Sequence, residues 1–319
     1  MAAKPVTEAG LVVAGHGRHF LIETTGGQRL ICHPRGKKSH AVVGDSVQWL
    51  ASGDAGTIEH VAERRNLFYR QDEVRSKSFA ANLDQILVLI AAEPEFSESQ
   101  LARALIAAEA QGIQALIGLN KSDLAEPFER AWARLEPYRA MGYTVLRLAL
   151  KPRSAVGGDG DLRSRPADES VDGLLDYMRG KTSLVLGPSG SGKSTLINLL
   201  VPDAQVLTNE ISSALGTGRH TTTSTTLYWI DRDRTSALID SPGFQEFGLQ
   251  HIDPMQLARL MPDLRAWAQA CKFYNCTHLH EPGCGLTAAM QSKLSPSLVT
   301  KTRYRIYRDL FAELSQVRY

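Results

Sequence analysis

From the start of the chain to about residue 75, short apolar runs alternate with Gly-rich turns. The runs are Leu11-Val12-Val13, Phe20-Leu21-Ile22, Arg29-Leu30-Ile31-Cys32 and Ser46-Val47-Gln48-Trp49, with Gly26-Gly27 and Gly53 between them. Such close spacing predicts a small antiparallel barrel, for which the oligonucleotide-binding type is one candidate. From about residue 80 the pattern changes. Ile86-Leu87-Val88-Leu89-Ile90 is a continuous apolar run, too short for a membrane and suited to a strand buried on both faces of a parallel sheet. A helix-compatible segment, Gln100 to Gln111, and a second apolar run, Ile113 to Leu119, follow it. Farther on, Ser183 to Leu186 reads as a strand, Thr195 to Leu200 as the start of a helix, and Thr235 to Ile239 as another strand. Strands alternating with helices predict an α/β domain behind the barrel.

Chemistry sits where these strands end. Gly187-Pro188-Ser189-Gly190-Ser191-Gly192-Lys193-Ser194, followed by Thr195, fits G-x-x-x-x-G-K-[ST] between a strand and a helix. Its glycines let the backbone wrap a phosphate, the amides and the helix start supply positive potential, Lys193 reaches the β- and γ-phosphates, and Ser194 can ligate Mg²⁺. Asn120-Lys121-Ser122-Asp123 directly follows an apolar strand, at the carboxyl end where open α/β sheets bind ligands. An ionised Asp123 only accepts hydrogen bonds, so it pairs with the N–H and amine of guanine and finds no such pair on adenine. Polar sites of this kind discriminate by factors on the order of 10⁴. Asn120 is expected to tie loops together and Lys121 to cover a ring face. Asp240-Ser241-Pro242-Gly243 has the D-x-x-G form, with Asp240 in the Mg²⁺ shell and the Gly243 amide sensing the γ-phosphate. In Gly216 to Thr223, closely spaced hydroxyls, among them those of Thr221 and Thr222, are placed to reach Mg²⁺ as a loop folds over nucleotide.

The order of these motifs is informative. An ordinary GTPase runs phosphate loop first and guanine loop later; here the guanine loop comes first. The same parts in rotated order imply a circularly permuted GTPase domain. Together with Gly44-Asp45-Ser46-Val47, Ala81-Asn82-Leu83-Asp84-Gln85, Gly218-Arg219-His220-Thr221-Thr222-Thr223 and a cysteine-rich tail, they make the chain resemble the bacterial RsgA family of small-ribosomal-subunit-dependent GTPases. The resemblance implies an enzyme that docks on the small ribosomal subunit and its rRNA late in assembly, hydrolyses GTP to GDP when stimulated by the subunit, and departs. It also implies His220 as the group that positions or deprotonates the attacking water. Many GTPases carry a glutamine after D-x-x-G, but here Phe244 stands there and cannot orient water. Slow hydrolysis by the isolated protein is therefore expected. The family's Ser-Ala loop at the base is placed at Leu148-Ala149-Leu150, with backbone amides such as that of Ala149 acting; Ser154-Ala155 is the alternative.

Three of the four cysteines, Cys271, Cys276 and Cys284, crowd together beside histidine, which points to metal rather than disulfides. Three thiolates and one imidazole make a closed tetrahedral set, the mark of structural zinc. His278 and His280 compete for the fourth position, and the resemblance favours His278. The architecture expected is thus an oligonucleotide-binding-like barrel over residues 1–75, a permuted GTPase domain over 76–246 and a helical zinc-binding domain over 247–319. The formal net charge of +2 decides nothing about partners, but local basic groups do bear on them. Arg35, Lys37, Lys38, Arg64, Arg65, Arg70, Arg75 and Lys77 near the barrel, and Lys293, Lys301, Arg303, Arg305, Arg308 and Arg318 with Tyr304 and Tyr307 in the tail, read either as ordinary solvated surface or as RNA-facing patches.

No apolar stretch approaches the roughly eighteen residues of a membrane span, and the start lacks a secretory profile. A cytoplasmic monomer is expected. Two other functions fit parts of the pattern. An ATP-driven transporter subunit shares the phosphate loop, but the chain has no LSGGQ-like signature, and Ser241 rather than Glu follows Asp240. A non-hydrolysing, guanine-nucleotide-dependent RNA-binding assembly factor fits the lack of a glutamine at Phe244.

Overall fold

The structure, a computed structural model, describes residues 6–36, 41–52, 55–72, 76–150, 171–201, 204, 225–242, 247–291 and 299–316. Five strands open the chain: β1 (Glu8–His16), β2 (His19–Thr24), β3 (Arg29–Pro34), β4 (Ser46–Ser52) and β5 (Ala55–Val61). β1 pairs with both β2 and β4, β4 pairs with β5, and β3 pairs with β5 in parallel, so the strands close into a barrel in the order 1-2-3-5-4. The small barrel expected from the sequence is present, with five strands and one parallel pair, β3 with β5, in place of a fully antiparallel arrangement; its interior is filled by Val12, Ile22, Cys32, Val47 and Ile58. Gly44, at φ +92, is where the barrel meets the next element: a Cβ there would lie 2.2 Å from the carbonyl oxygen of Ala81.

A hairpin of β6 (Leu67–Gln71) and β7 (Ser76–Ala81) follows. Then come β8 (Gln85–Ala91), α1 (Glu98–Ala110), β9 (Gln114–Asn120), α2 (Ala125–Arg134), α3 (Glu136–Ala140), β10 (Thr144–Arg147), α4 (Val171–Met178), β11 (Thr182–Leu186), α5 (Lys193–Leu200), β12 (Thr225–Trp229) and β13 (Ala237–Asp240). Strands β10, β9, β8, β11 and β13 are parallel neighbours in that order, and β12 joins antiparallel at the edge. β8 is buried throughout. Its Ile86, Val88 and Ile90 enter one apolar cluster, with α1 and α2; Leu87 and Leu89 enter the other, with α4 and α5. This alternation is why the run carries no polar face.

The sheet does not end at β12. Thr225 and Thr226 pair with Gly15 and Ala14 of β1, so barrel and α/β sheet are continuous. Glu23 of β2, 5% exposed, reinforces this seam by accepting from Trp229 Nε1 at 2.7 Å and pairing with Arg29 at 2.8 Å and Arg234 at 3.3 Å.

The tail comprises a 3-10 helix (Pro254–Leu260), α6 (Pro262–Ala268), α7 (Gly285–Gln291) and α8 (Lys301–Leu314). Thr300 caps α8 by accepting from the Arg303 amide at 3.2 Å. α8 buries Arg303, Ile306, Tyr307, Leu310 and Phe311, the i, i+3, i+4, i+7, i+8 stripe of a helix on a core. Among the described residues no helix is long and apolar enough to cross a membrane.

Candidate functional site

The parallel sheet delivers the motifs to one edge. Register places Val185 beside Asp240, Leu186 beside Val88, and Ala91 beside Asn120, so the chain leaves β11, β13, β8 and β9 on the same side. The loop of residues 187–192 leaves β11 and turns into α5. Gly187 has no room for a side chain, since a Cβ would lie 2.5 Å from Leu89 O. Gly192 caps α5 at φ +101, and a Cβ there would lie 2.3 Å from Asn120 Nδ2. Pro188, Ser189 and Gly190 form the outer rim, Ser191 is buried, Ser194 is exposed at the first turn of α5, and Thr195 is half-buried behind it.

Asn120 braces this edge. It is 2% exposed, its Nδ2 donates to Ser191 O at 3.0 Å, and its Oδ1 accepts from Leu150 N at 2.9 Å. One side chain thus joins the guanine loop, the phosphate loop and the 148–150 segment. That segment is also held by Ser122 N donating to Leu148 O at 3.0 Å and Leu148 N donating to Leu119 O at 2.8 Å. Of the amides expected at the base, those of Leu148 and Leu150 are thus committed within the protein, and Ala149 is the one these bonds do not use. Lys121, at φ +71, donates to Glu93 O, and Asp123 is exposed beyond it.

Lys193 and Asp240 form an ion pair of 2.7 Å, with side chains 12% and 10% exposed. Burial pushes the Asp240 carboxyl above its ordinary range, and the Lys193 ammonium pulls it back. The next residue, Ser241, is fixed by donating to Val185 O at 3.0 Å. His220, Thr221, Thr222, Gly243, Phe244, Ser154 and Ala155 lie outside the described residues.

A second cluster lies in the tail. The ligating atoms of Cys271, Cys276, His278 and Cys284 all lie within 4.8 Å of one another. Tetrahedral zinc with Zn–S bonds near 2.3 Å requires sulfurs about 3.8 Å apart. Cys271 and Cys284 are 4.0 Å apart, and His278 Nδ1 lies 3.3 and 3.6 Å from their sulfurs. The donor set therefore fits zinc. His280 is exposed and outside the group, so the choice between the histidines falls on His278. Burial lowers the pKa of His278, which favours the neutral imidazole a metal needs. Amides of Gly285 and Thr287 point at Cys271 and Cys284 sulfurs at 3.3 and 3.5 Å, an outer shell for thiolates. Tyr304 and Tyr307 of α8 donate to His278 O at 2.9 Å and Thr277 O at 2.8 Å.

These contacts correct part of the sequence reading. Tyr304 and Tyr307 face the metal knuckle rather than an external RNA. Arg303 is 3% exposed and bidentate to the fully buried Asp263 at 2.8 and 2.9 Å, because the helical stripe puts it inside. Arg64 is likewise structural, held on buried Asp45 at 2.7 and 2.8 Å, and Arg65 pairs with Asp84 at 2.9 Å. Lys301, Arg305 and Arg308 stay exposed along the outer face of α8. Lys37, Lys38, Arg75, Lys293 and Arg318 lie outside the described residues.

Comparison with known proteins agrees with this geometry. Residues 61–250 match the family model described as RsgA GTPase. A protein of Variovorax paradoxus (strain S110) named "Small ribosomal subunit biogenesis GTPase RsgA" is 66% identical over 310 residues, 97% of this chain and 93% of the relative. One of the same name from Paraburkholderia xenovorans (strain LB400) is 50% identical over 97% of this chain and 94% of its own length. Among solved structures, YloQ, titled a circularly permuted GTPase, is similar at a TM-score of 0.68 and 25% identity, covering 98% of this chain and 97% of that one. YjeQ from Thermotoga maritima is similar at 0.70 and 25% identity, covering 98% and 100%.

Proposed function

The chain belongs to the RsgA GTPase family and is a GTP hydrolase of the circularly permuted class, and on that premise we propose that it docks on the small ribosomal subunit and hydrolyses GTP late in that subunit's maturation. The observation that carries the reading is the convergence, through Asn120, of a guanine loop and a phosphate loop whose order along the chain is rotated.

Asp123 selects guanine by accepting from its N–H groups, Lys121 flanks the base, Ser122 holds the loop to the 148–150 segment, and the Ala149 amide faces the base edge. The backbone of residues 187–192 wraps the phosphates, with Lys193 on the β- and γ-oxygens and Thr195 supporting α5. Lys193 and Asp240 are paired in the structure, and with GTP and Mg²⁺ bound Lys193 would serve the phosphates and Asp240 the magnesium shell. Ser194 and Asp240, with hydroxyls of Thr221 and Thr222, would hold Mg²⁺ with GTP, and the ion would supply charge neutralisation to the phosphates. His220 positions the attacking water, and the Gly243 amide reads the γ-phosphate. Cys271, Cys276, His278 and Cys284 would hold zinc, which would supply folding energy to the tail.

The segment after Asp240 offers a route outward. Phe247 packs on Phe68 and Phe79 of the hairpin, with centroids 5.6 and 5.9 Å away, and Gln71 exchanges backbone bonds with Gly248 and Gln250 at 3.1 and 3.0 Å. Arg103 donates both to Phe247 O at 3.2 Å and to Glu313 of α8 at 3.0 Å. Loss of γ-phosphate therefore reaches the barrel side and the tail through one short connection. The working units are residues 1–75, 76–246 and 247–319, the barrel and the outer face of α8 meet rRNA, and the protein acts as a monomer in the cytoplasm.

The test is GTP and ATP turnover by purified protein, alone and with small or large subunits. Stimulation of GTP turnover by small subunits alone is expected. GTP binding without stimulation would sink the reading, and unchanged stimulated turnover in His220→Ala would remove the role of His220.

A further inference from the structure

Between Cys271 and Cys276 the chain makes a tight turn. Cys276 N donates to Phe273 O at 3.3 Å, and Lys272 N donates to Gly283 O at 3.0 Å, which fixes the base of the turn. Lys272, Phe273, Tyr274 and Asn275 at its tip are all exposed. Tyr274 is 99% exposed and Phe273 41%. Lys272 Nζ lies 5.5 Å from the Phe273 ring centroid. Two aromatic rings on an anchored backbone, given no cover by the described residues, mark an interaction surface.

Charge narrows the partner. Glu281 is the sole acidic residue from Cys271 to Gln291, and its carboxylate is turned inward, accepting from the amides of Thr277 at 2.8 Å, Leu279 at 3.2 Å and His280 at 3.3 Å. Within residues 271–291 the tip therefore presents flat rings and an ammonium with no competing carboxylate. The exposed Lys301 and Arg305 extend positive charge along α8, where Arg308 is paired with Asp309 at 3.6 Å, and Tyr304 and Tyr307 bind this helix to the same knuckle. Flat and anionic is the description of a nucleotide. A convex turn also suits a base splayed from a single strand better than it suits a rigid duplex groove.

We propose that Tyr274 and Phe273 stack on unpaired nucleobases of an RNA, with Lys272 on the adjoining phosphate. The inference deepens the proposed function and rests on it for the identity of the RNA, which is that of the small subunit.

The experiment measures affinity of the full chain for purified small subunits with a non-hydrolysable GTP analogue bound. Tyr274→Ala is expected to weaken binding by about five- to 150-fold, the worth of one base stack. Tyr274→Trp is expected to hold wild-type affinity within about threefold, since indole stacks as well, and Tyr274→Leu to fall with the alanine variant. Lys272→Gln should lower the slope of log affinity against log salt by about 0.7, one single-strand phosphate. Unstimulated GTP turnover should be the same in all variants. Full affinity in Tyr274→Leu with loss in Tyr274→Ala would indicate a protein pocket and overturn the proposal, as would full affinity in Tyr274→Ala. Titrating poly(A) into Tyr274→Trp separates this failure from that of the functional reading: the added indole fluorescence is expected to be quenched. Quenching without subunit binding sinks the partner and keeps the tip; no quenching overturns the tip.

Discussion

Replacing Asn120 by alanine removes the brace between three loops. The side chain is 2% exposed and makes two hydrogen bonds, to Ser191 O at 3.0 Å and from Leu150 N at 2.9 Å. In Asn120→Ala both backbone groups lose their partner, and each unsatisfied buried group costs about 1–3 kcal/mol. The loss should come to about 2–4 kcal/mol, because the half-buried Leu150 regains part of its bonding from water. Urea unfolding of the nucleotide-free protein reads this directly. Affinity should fall as well, because the base and the β-phosphate are held by loops that no longer share a support. GDP and GTP present the same base and β-phosphate, so both should weaken by the same factor, at most about 30- to 1000-fold for that energy. Asn120→Asp sharpens the test: it keeps an acceptor for Leu150 N but faces Ser191 O with no donor, so it should be no better than alanine. A change in stability below about 0.5 kcal/mol, the range of ordinary surface substitutions, together with unchanged GDP affinity, would refute the brace.

Three further outcomes follow from the geometry. Gly192→Ala places a Cβ 2.3 Å from Asn120 Nδ2 at φ +101, so calorimetric GDP binding should be lost in a folded protein; retained binding would mean the loop is looser than described. Asp263→Ala strands the buried Arg303 and should cost about 3–5 kcal/mol in urea unfolding, while Asp263→Leu with Arg303→Met recovers most of it; a cost under about 1 kcal/mol would contradict the burial. Stripping zinc with a strong chelator should open residues 271–291 to proteolysis while GDP binding remains, and a tail equally resistant without metal would remove zinc as its support.

Local patterns carried much of the fold. Apolar runs located four of the five barrel strands, missing β5, and the central parallel strands, and the glycine spacing located the loop before α5, because burial on both faces and wrapping of phosphate each leave a mark within a few residues. Element ends were displaced where a single residue decides them. α1 begins at Glu98 rather than Gln100 because Ser97 caps it, accepting from Gln100 N at 3.3 Å. α5 begins at Lys193 rather than Thr195 because Gly192 takes the left-handed cap. β13 starts at Ala237 rather than Thr235 because Asp231 captures the Thr235 amide and hydroxyl, each at 2.8 Å. Long-range partners left no such mark. Nothing beside Arg303 or Arg64 in the chain announces Asp263 or Asp45, and the general tendency of arginine to be exposed points the wrong way. The pairing of β1 with β12, which makes barrel and nucleotide domain one sheet, depends on residues at opposite ends of the folding problem.

In the function proposed above, Asp123 reads the base of a nucleotide whose hydrolysis the small subunit stimulates. The direct measurement is small-subunit-stimulated turnover of GTP and of xanthosine triphosphate by Asp123→Asn. Xanthine presents an oxygen where guanine carries its amine, so an asparagine amide can donate to it while an aspartate cannot. Asp123→Asn is expected to lose stimulated GTP turnover and to gain stimulated xanthosine triphosphate turnover. Stimulated GTP turnover at the wild-type rate would contradict it.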